Sequence, residues 1–367
     1  MNKNLTRNIL RVFLLLAIAL SSGCGAVTAI PTSKPSQTPT VSSPTNTPQP
    51  IQPEGILIYS TGKGVFSFNL QKKEVNVISS SDKKQYHSVV IKNSIYVLRD
   101  TKGDGTQAEI FKMKLDGTDL EQLTFDGNKY GFEVSPNGDY LSYSLETNQL
   151  KLFDVANKTS QTIAQQDGYF YSSPSWSPDS SKFAYFSSMQ LERPVGQLFL
   201  YSQENKFTKQ FLPGMIIYTT STTWSPNGEN IILNIEYDPQ TGTQGIFILN
   251  VNSNQLEQIA DKATGNGFVF SPNGNMILYV DNLGQLVLFE QKNKSVKIIQ
   301  KKIPEQQTLS DLLLWSPKGD YIGYITCPIE NRFKCFFNIR TVDNKKISEF
   351  EFPAENWIQN IFWTQSN

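Results

Sequence analysis

The stretch Thr223-Trp-Ser-Pro-Asn-Gly228 decides the fold, because the chain repeats it. Its other versions are Phe132-Glu-Val-Ser-Pro-Asn-Gly138, Ser175-Trp-Ser-Pro-Asp-Ser180, Val269-Phe-Ser-Pro-Asn-Gly274 and Leu314-Trp-Ser-Pro-Lys-Gly319. The prolines stand at 136, 178, 226, 272 and 317, with spacings of 42, 48, 46 and 45. Within each phrase, Pro presets φ at the second position of a type I turn, Asn tolerates the third and Gly accepts the fourth. A recurring turn at a fixed period marks one supersecondary unit that is stacked many times.

The sequence around each turn says what the unit is. A dense apolar strand follows it, as in Tyr140–Leu145, Phe183–Phe186, Ile231–Ile235, Met276–Val280 and Tyr321–Ile325. So little polar alternation suits a strand covered on both faces. A more openly alternating strand comes next (Gln197–Tyr201, Ile246–Asn250, Gln285–Phe289), and a short one closes the unit (Gln255–Ile259, Val296–Ile299). Four strands in about 45 residues, with no convincing amphipathic helix, give an all-β chain built as a β-propeller. The aromatic before four of the Ser-Pro pairs (Trp176, Trp224, Phe270 or Trp315) is expected to pack between neighbouring blades. Seven blades are predicted, six or eight remaining open. Three N-terminal strands (Ile56–Tyr59, Val65–Leu70, Val75–Ile78) lack a first strand, and Asn360-Ile-Phe-Trp-Thr364 is a first strand with nothing after it. Pairing the two ends closes the ring and removes its exposed edges.

The Trp-Ser-Pro-Asp/Asn-Gly phrase and the run Ile110-Phe-Lys-Met-Lys-Leu-Asp-Gly-Thr-Asp-Leu-Glu-Gln-Leu-Thr124 resemble the TolB-like, WD-type propeller repeat. Related repeats occur in the propellers of prolyl-oligopeptidase-type enzymes. The resemblance covers nearly all of residues 55–367 and implies a platform for protein association. It departs from TolB in having seven units rather than six blades, and a different N-terminal region.

That N-terminal region reads as a targeting segment. Lys3, Arg7 and Arg11 precede the apolar run Val12–Leu20, about half the ~20 residues a membrane-spanning helix needs. Ser21-Ser22-Gly23-Cys24 follows and resembles the lipobox of bacterial lipoproteins, with Ser21 where Leu is usual. Residues 1–23 are thus expected to be a lipoprotein signal peptide, with Cys24 the diacylglyceryl (palmitate-type) attachment point. An ordinary secretory signal with an incidental cysteine is the alternative. Residues 24–54 carry Pro31, Pro35, Pro39, Pro44, Pro48, Pro50 and Pro53 among Thr, Ser and Gln, with little to bury. They read as a linker between the anchor and the propeller of residues 55–367.

Composition narrows the function. Formal net charge is zero, which argues against nucleic acid, since tracking phosphates needs a basic patch. The single histidine, His87, limits Ser-His-Asp, Cys-His and histidine-based zinc chemistry, and no cofactor or metal is implied. Asp100-Thr-Lys-Gly-Asp-Gly-Thr106 faintly resembles a calcium loop, and equally a polar Gly-rich hairpin connection. Cys327 and Cys335 bracket a hairpin connection and are expected to bridge in an oxidising compartment, the alternative being two small buried hydrophobes.

The leading expectation is a non-enzymatic, membrane-anchored propeller outside the cytoplasm, at the cell surface or in the periplasm. It would bind an unknown protein or an envelope polymer and meet the membrane only through its lipid. The alternative is a carbohydrate-active propeller, glycosidase or glycan-binding, that uses loop carboxylates such as Asp100, Glu146, Asp238 and Asp281. Candidate binding residues are Tyr169, Phe170, Tyr171, Glu192, Arg193, Met215 and Tyr218, which would gather aromatic, Met and Arg side chains on one rim. The competing reading has these aromatics open the inner strands, buried against the channel.

Overall fold

A computed structural model describes residues 53–80, 84–171, 174–189, 196–212, 222–235, 242, 244–261, 263–301, 307–331, 334–352 and 358–365. Cys24, Glu192, Arg193, Met215, Tyr218 and Asp238 lie outside the described residues. None of the described residues is helical. Seven antiparallel sheets form the seven blades.

Blade 1 joins the two ends of the chain: Ile358–Thr364 is its inner strand, followed outward by Ile56–Thr61, Gly64–Asn69 and Glu74–Ser80. The register runs from Ile56 opposite Thr364 to Thr61 opposite Ile358. The inner strands of the next blades are Gln85–Ile91 (blade 2), Lys129–Val134 (blade 3) and Thr222–Trp224 (blade 5). Those of blades 6 and 7 are Ala263–Phe270 and Gln307–Trp315. Blade 4 has its inner strand in two pieces, Tyr169–Tyr171 and Ser175–Trp176, both paired with Lys182–Met189. Pro174 lies just before the second piece and has no N–H to give the ladder.

Each apolar second strand is buried along its length. Ile231 to Leu233 and Ile277 to Leu278 are at most 1% exposed, as blade-on-blade stacking requires. Outer strands such as Glu74–Ser80 and Thr159–Gln165 are largely exposed. In five blades a register shift between third and fourth strands bends this free edge, as at Leu150/Lys151 and Ile246/Phe247. Such bulges blunt edge-to-edge association. The outer strand of blade 2 is only Glu121–Gln122, shorter than the Leu120–Thr124 of the sequence reading. There the Thr124 hydroxyl takes over from the ladder, accepting the Ile110 N–H at 2.9 Å and donating to Glu109 at 2.7 Å.

The repeated turn depends on its serine. In blade 5 the Gly228 N–H donates to the Ser225 carbonyl at 2.9 Å, closing the four-residue turn. The Ser225 Oγ then donates to Asn227 Oδ1 at 2.6 Å and accepts the Asn230 N–H at 2.9 Å. The same pair of contacts recurs at Ser135, Ser177 and Ser271. Ser316 keeps the N–H contact, to Tyr321, although Lys318 replaces the amide. All five serines are buried. Gly274 and Gly319 adopt φ of 73° and 79°, and each faces the proline of the preceding turn, Pro226 or Pro272. In blade 4 Ser180 holds φ of 62° instead, and its Oγ accepts the Asn137 N–H of blade 3 at 3.0 Å. The exception thus replaces a van der Waals contact by a hydrogen bond between turns.

The tryptophans tie blade to blade. Trp176 Nε1 donates to Ser142 Oγ of blade 3 at 2.8 Å, and Trp224 Nε1 to the Ser175 carbonyl of blade 4 at 2.8 Å. Trp363 donates to the Glu54 carbonyl at 2.9 Å and packs on Gly323 of blade 7, where a Cβ would sit 2.6 Å from the Phe337 ring. Removing residues 356–367 deletes the whole inner strand of blade 1, with buried Ile358, Ile361 and Trp363. We expect aggregation or failure to fold, whereas Trp363→Ala should fold with a loss of about 3–5 kcal/mol in denaturant titration. A truncated chain that unfolds at the same denaturant concentration as the intact one would refute closure by this strand.

Cys327 and Cys335 are joined by a disulfide, with Cα atoms 4.2 Å apart and both residues buried in the cluster that holds Ile358, Ile361 and Trp363. The bridge therefore sits behind the closing strand. Thiol titration of the unfolded, unreduced chain should detect neither cysteine. Replacing both by Ala should cost about 2–3 kcal/mol, the chain-entropy value for so short a loop.

Candidate functional site

The inner strands of blades 3, 4 and 5 end at Ser-Pro turns, and there the three blades line an open cavity of about 490 Å³. This volume falls within the ~300–1,000 Å³ usual for ligand sites. One wall comes from the inner strand of blade 3, with Glu133 and Val134. Blade 4 gives Ser175 and Trp176, and blade 5 gives Thr222, Thr223 and Trp224. Pro136, Pro174 and Pro178 stiffen the surround. The same contacts that fix the blades therefore fix the walls: both indole N–H groups are bonded within the protein.

Glu133 is the one charged side chain lining this cavity among the described residues. Its side chain is 34% exposed, and its Oε1 lies 3.8 Å from His87 Nε2. The His87 ring stands edge-on to Phe132, 5.1 Å between centroids, and its Nε2 has no hydrogen-bond partner. His87 thus belongs to the blade 2–blade 3 seam beside the cavity. No group of three or more His, Cys, Asp or Glu fit to hold a metal occurs among the described residues.

Of the candidate rim residues, Tyr169, Phe170 and Tyr171 lie among the described residues. Tyr171 is 7% exposed and sits in the core with Trp176 and Tyr185, because Tyr169–Tyr171 is inner strand and not a connection. Tyr169 packs partly buried against the same cluster. Phe170 points the other way and meets Tyr130 edge-on at 5.9 Å, with Tyr130 58% exposed. Alternation along a strand explains the split.

Two of the loop carboxylates, Asp100 and Asp281, are held by their own connections. Asp100 Oδ1 accepts the N–H groups of Lys102 and Gly103 at 3.0 and 2.9 Å, and Oδ2 that of Gly105 at 2.7 Å. Burial raises its pKa, but these three donors outweigh burial and hold the carboxyl below the usual range. A loop that turns N–H groups inward stabilises an anion already present, so the 100–106 segment is a hairpin connection closed on Asp100. Asp281 likewise accepts the N–H groups of Leu283 and Gln285, and Glu146 takes the Asn128 amide.

A buried ionic network anchors the connection from blade 2 to blade 3. Lys129 and Glu109 have fully buried side chains 2.6 Å apart. Lys129 also donates to the Gly127 carbonyl and pairs with Asp126 at 3.0 Å. Asp126 in turn accepts from Tyr143 Oη and Lys151 Nζ at 2.8 and 2.9 Å. Burial pushes the Asp126 carboxyl up, yet the Lys151 bond, the Lys129 charge and the Tyr143 bond together hold it below its ordinary value. A depressed folded pKa contributes stability above the unfolded value of about 3.9, lost as pH falls through the folded value. Asp126→Asn should therefore lower stability at pH 7 and flatten the loss below pH 4. Chemical denaturation at pH 7, 4 and 3 reads both effects, and parallel losses in variant and parent would exclude this role.

Comparison with known proteins agrees with the fold. The family model of eukaryotic translation initiation factor eIF2A matches residues 188–358, less than half of the chain. No curated protein matches. TolB from Acinetobacter baumannii aligns at 15% identity over 83% of this chain and 81% of its own, with a TM-score of 0.51. Oligogalacturonate lyase from Vibrio parahaemolyticus aligns at 12% over 82% and 86%, with a TM-score of 0.58. Dipeptidyl peptidase 4 from Porphyromonas gingivalis aligns at 12% over 83% of this chain and 55% of its own, with a TM-score of 0.56. The chain is a β-propeller repeat protein with a TolB-like fold. At these identities the likeness concerns architecture and carries no activity with it.

Proposed function

We propose that this propeller is a binding platform held outside the cytoplasm by lipid on Cys24, and that it grips a protein partner at the cavity between blades 3, 4 and 5. The observation that carries the reading is that cavity, a pre-formed space of about 490 Å³ whose walls are fixed by inter-blade bonds. Pre-organised walls lower the cost of ordering on binding. The apolar run ending at Gly23-Cys24, the Pro-rich segment after it and the likeness to TolB support the location.

Two experiments test it. Detergent-phase partition of a cell extract should recover the protein with its lipid, and Cys24→Ala should release it or leave it unprocessed. Filling the cavity by Ser175→Phe or Thr223→Phe should abolish cross-linking to a partner that the parent captures in cells, with an unchanged melting temperature. A cavity-filled chain that folds and still captures the partner places binding elsewhere.

A further inference from the structure

We infer that this cavity receives a basic side chain of the partner, a guanidinium in preference to an ammonium, with Glu133 as its counter-charge. The inference rests on the binding role proposed above and adds the chemistry of what enters.

The first argument is that the fold does not need this charge. Glu133 stands one residue before the end of its inner strand, and the equivalent residues of other blades are Ser175, Thr223, Val269, Leu314 and Phe362. All are neutral, and the turns after Ser175, Thr223, Val269 and Leu314 are built on the same serine contact as the turn after Glu133. A carboxylate at a position that elsewhere takes Val, Leu or Phe is not explained by blade packing.

The second argument concerns what Glu133 lacks. Among the described residues no Lys or Arg pairs with its carboxylate, and the one titratable partner, His87, has its Nε2 at 3.8 Å, beyond hydrogen-bonding reach. No Lys or Arg is among the cavity's lining residues. The structural ion pairs of this protein look different: Glu109 and Asp126 each have a Lys Nζ within 3.0 Å. Glu133 is a partly buried anion with its acceptor capacity open, in a recess large enough for a ligand.

The third argument is the balance of donors and acceptors in the wall. The Trp176 and Trp224 N–H groups are already bonded to Ser142 and Ser175, so neither is offered to an incoming anion. The residues lining the recess are one glutamate, the hydroxyl-bearing Ser175, Thr222 and Thr223, and the apolar Val134, tryptophans and prolines. Hydroxyl oxygens accept N–H bonds as readily as they donate. A flat cation with an aliphatic stem satisfies this wall: its fork pairs bidentately with a carboxylate, while its stem and face lie on apolar surface. An ammonium supplies the charge but not the fork.

The test uses the full chain in detergent micelles with a synthetic probe, the peptide acetyl-Gly-Arg-Gly-amide. Its controls are the same peptide with citrulline, which keeps the shape and removes the charge, and with lysine. Saturation-transfer NMR should show the arginine peptide bound by the parent, the lysine peptide more weakly, and the citrulline peptide at least tenfold more weakly. Glu133→Gln should lower arginine-peptide affinity at least tenfold with an unchanged melting temperature, and Glu133→Asp should recover part of it. Equal affinity for arginine and citrulline peptides, undiminished binding by Glu133→Gln, or no binding of the arginine peptide at all would each overturn the inference. The two readings fail separately. A partner lost on Thr223→Phe but still captured by Glu133→Gln leaves the platform standing and removes the cation.

Discussion

A serine hydroxyl buried at the first hairpin of the blade holds this structure in shape. In blades 3 to 6 it donates to the Asn or Asp two residues on and accepts the N–H five residues on. The turn is thereby closed from inside as well as by its own backbone bond. That fixes where the second strand begins, and so which residues face the neighbouring blade. In blades 4 to 6 it also places the aromatic immediately before the serine at the blade seam. An alanine there would leave an N–H without its acceptor. The prolines, glycines and tryptophans around it act on geometry the serine has already set.

The fold was legible because its determinants are local and repeated. Ser-Pro-Asn-Gly reports the turn, the apolar run after it reports a strand covered on both faces, and the spacing reports the blade. Closure was legible for a different reason: an inner strand ending in Trp363 and three strands from Ile56 each lacked what the other supplied. The limits were also physical. The Leu120–Thr124 strand shortened because a threonine hydroxyl competes with the ladder, which no propensity records. Tyr169 to Tyr171 looked like a connection because Pro174 interrupts the pattern, while the actual strand resumes beyond it.

The site was less legible, because exposure and pairing are properties of three blades together. Asp100 and Glu109 lie in one stretch and look alike in sequence. One closes its own loop and the other neutralises a lysine twenty residues away. Glu133 did carry a signal, being the single charged residue in a column of Ser, Thr, Val and Leu. Reading it required aligning the repeats position by position and asking which column departs. Phe170 and Tyr171 show the converse: adjacent aromatics of similar size have opposite fates because a strand sends them to opposite faces.

The shared first blade has a consequence for how the protein is made. Thr364 bonds to Ile56 across a separation of 308 residues, so a strand made after the other six blades completes the sheet begun before them. A chain delivered from its N-terminus would hold the edge of Ile56–Thr61 open through the synthesis of six further blades. Non-local pairing of this kind is slow to form and exposes unpaired strand edges on the way. The interval between the emergence of Ile56–Thr61 and that of Ile358–Thr364 is therefore a window of vulnerability to proteolysis and misassembly. It lengthens with every blade, and the strand Ile358–Thr364 ends it.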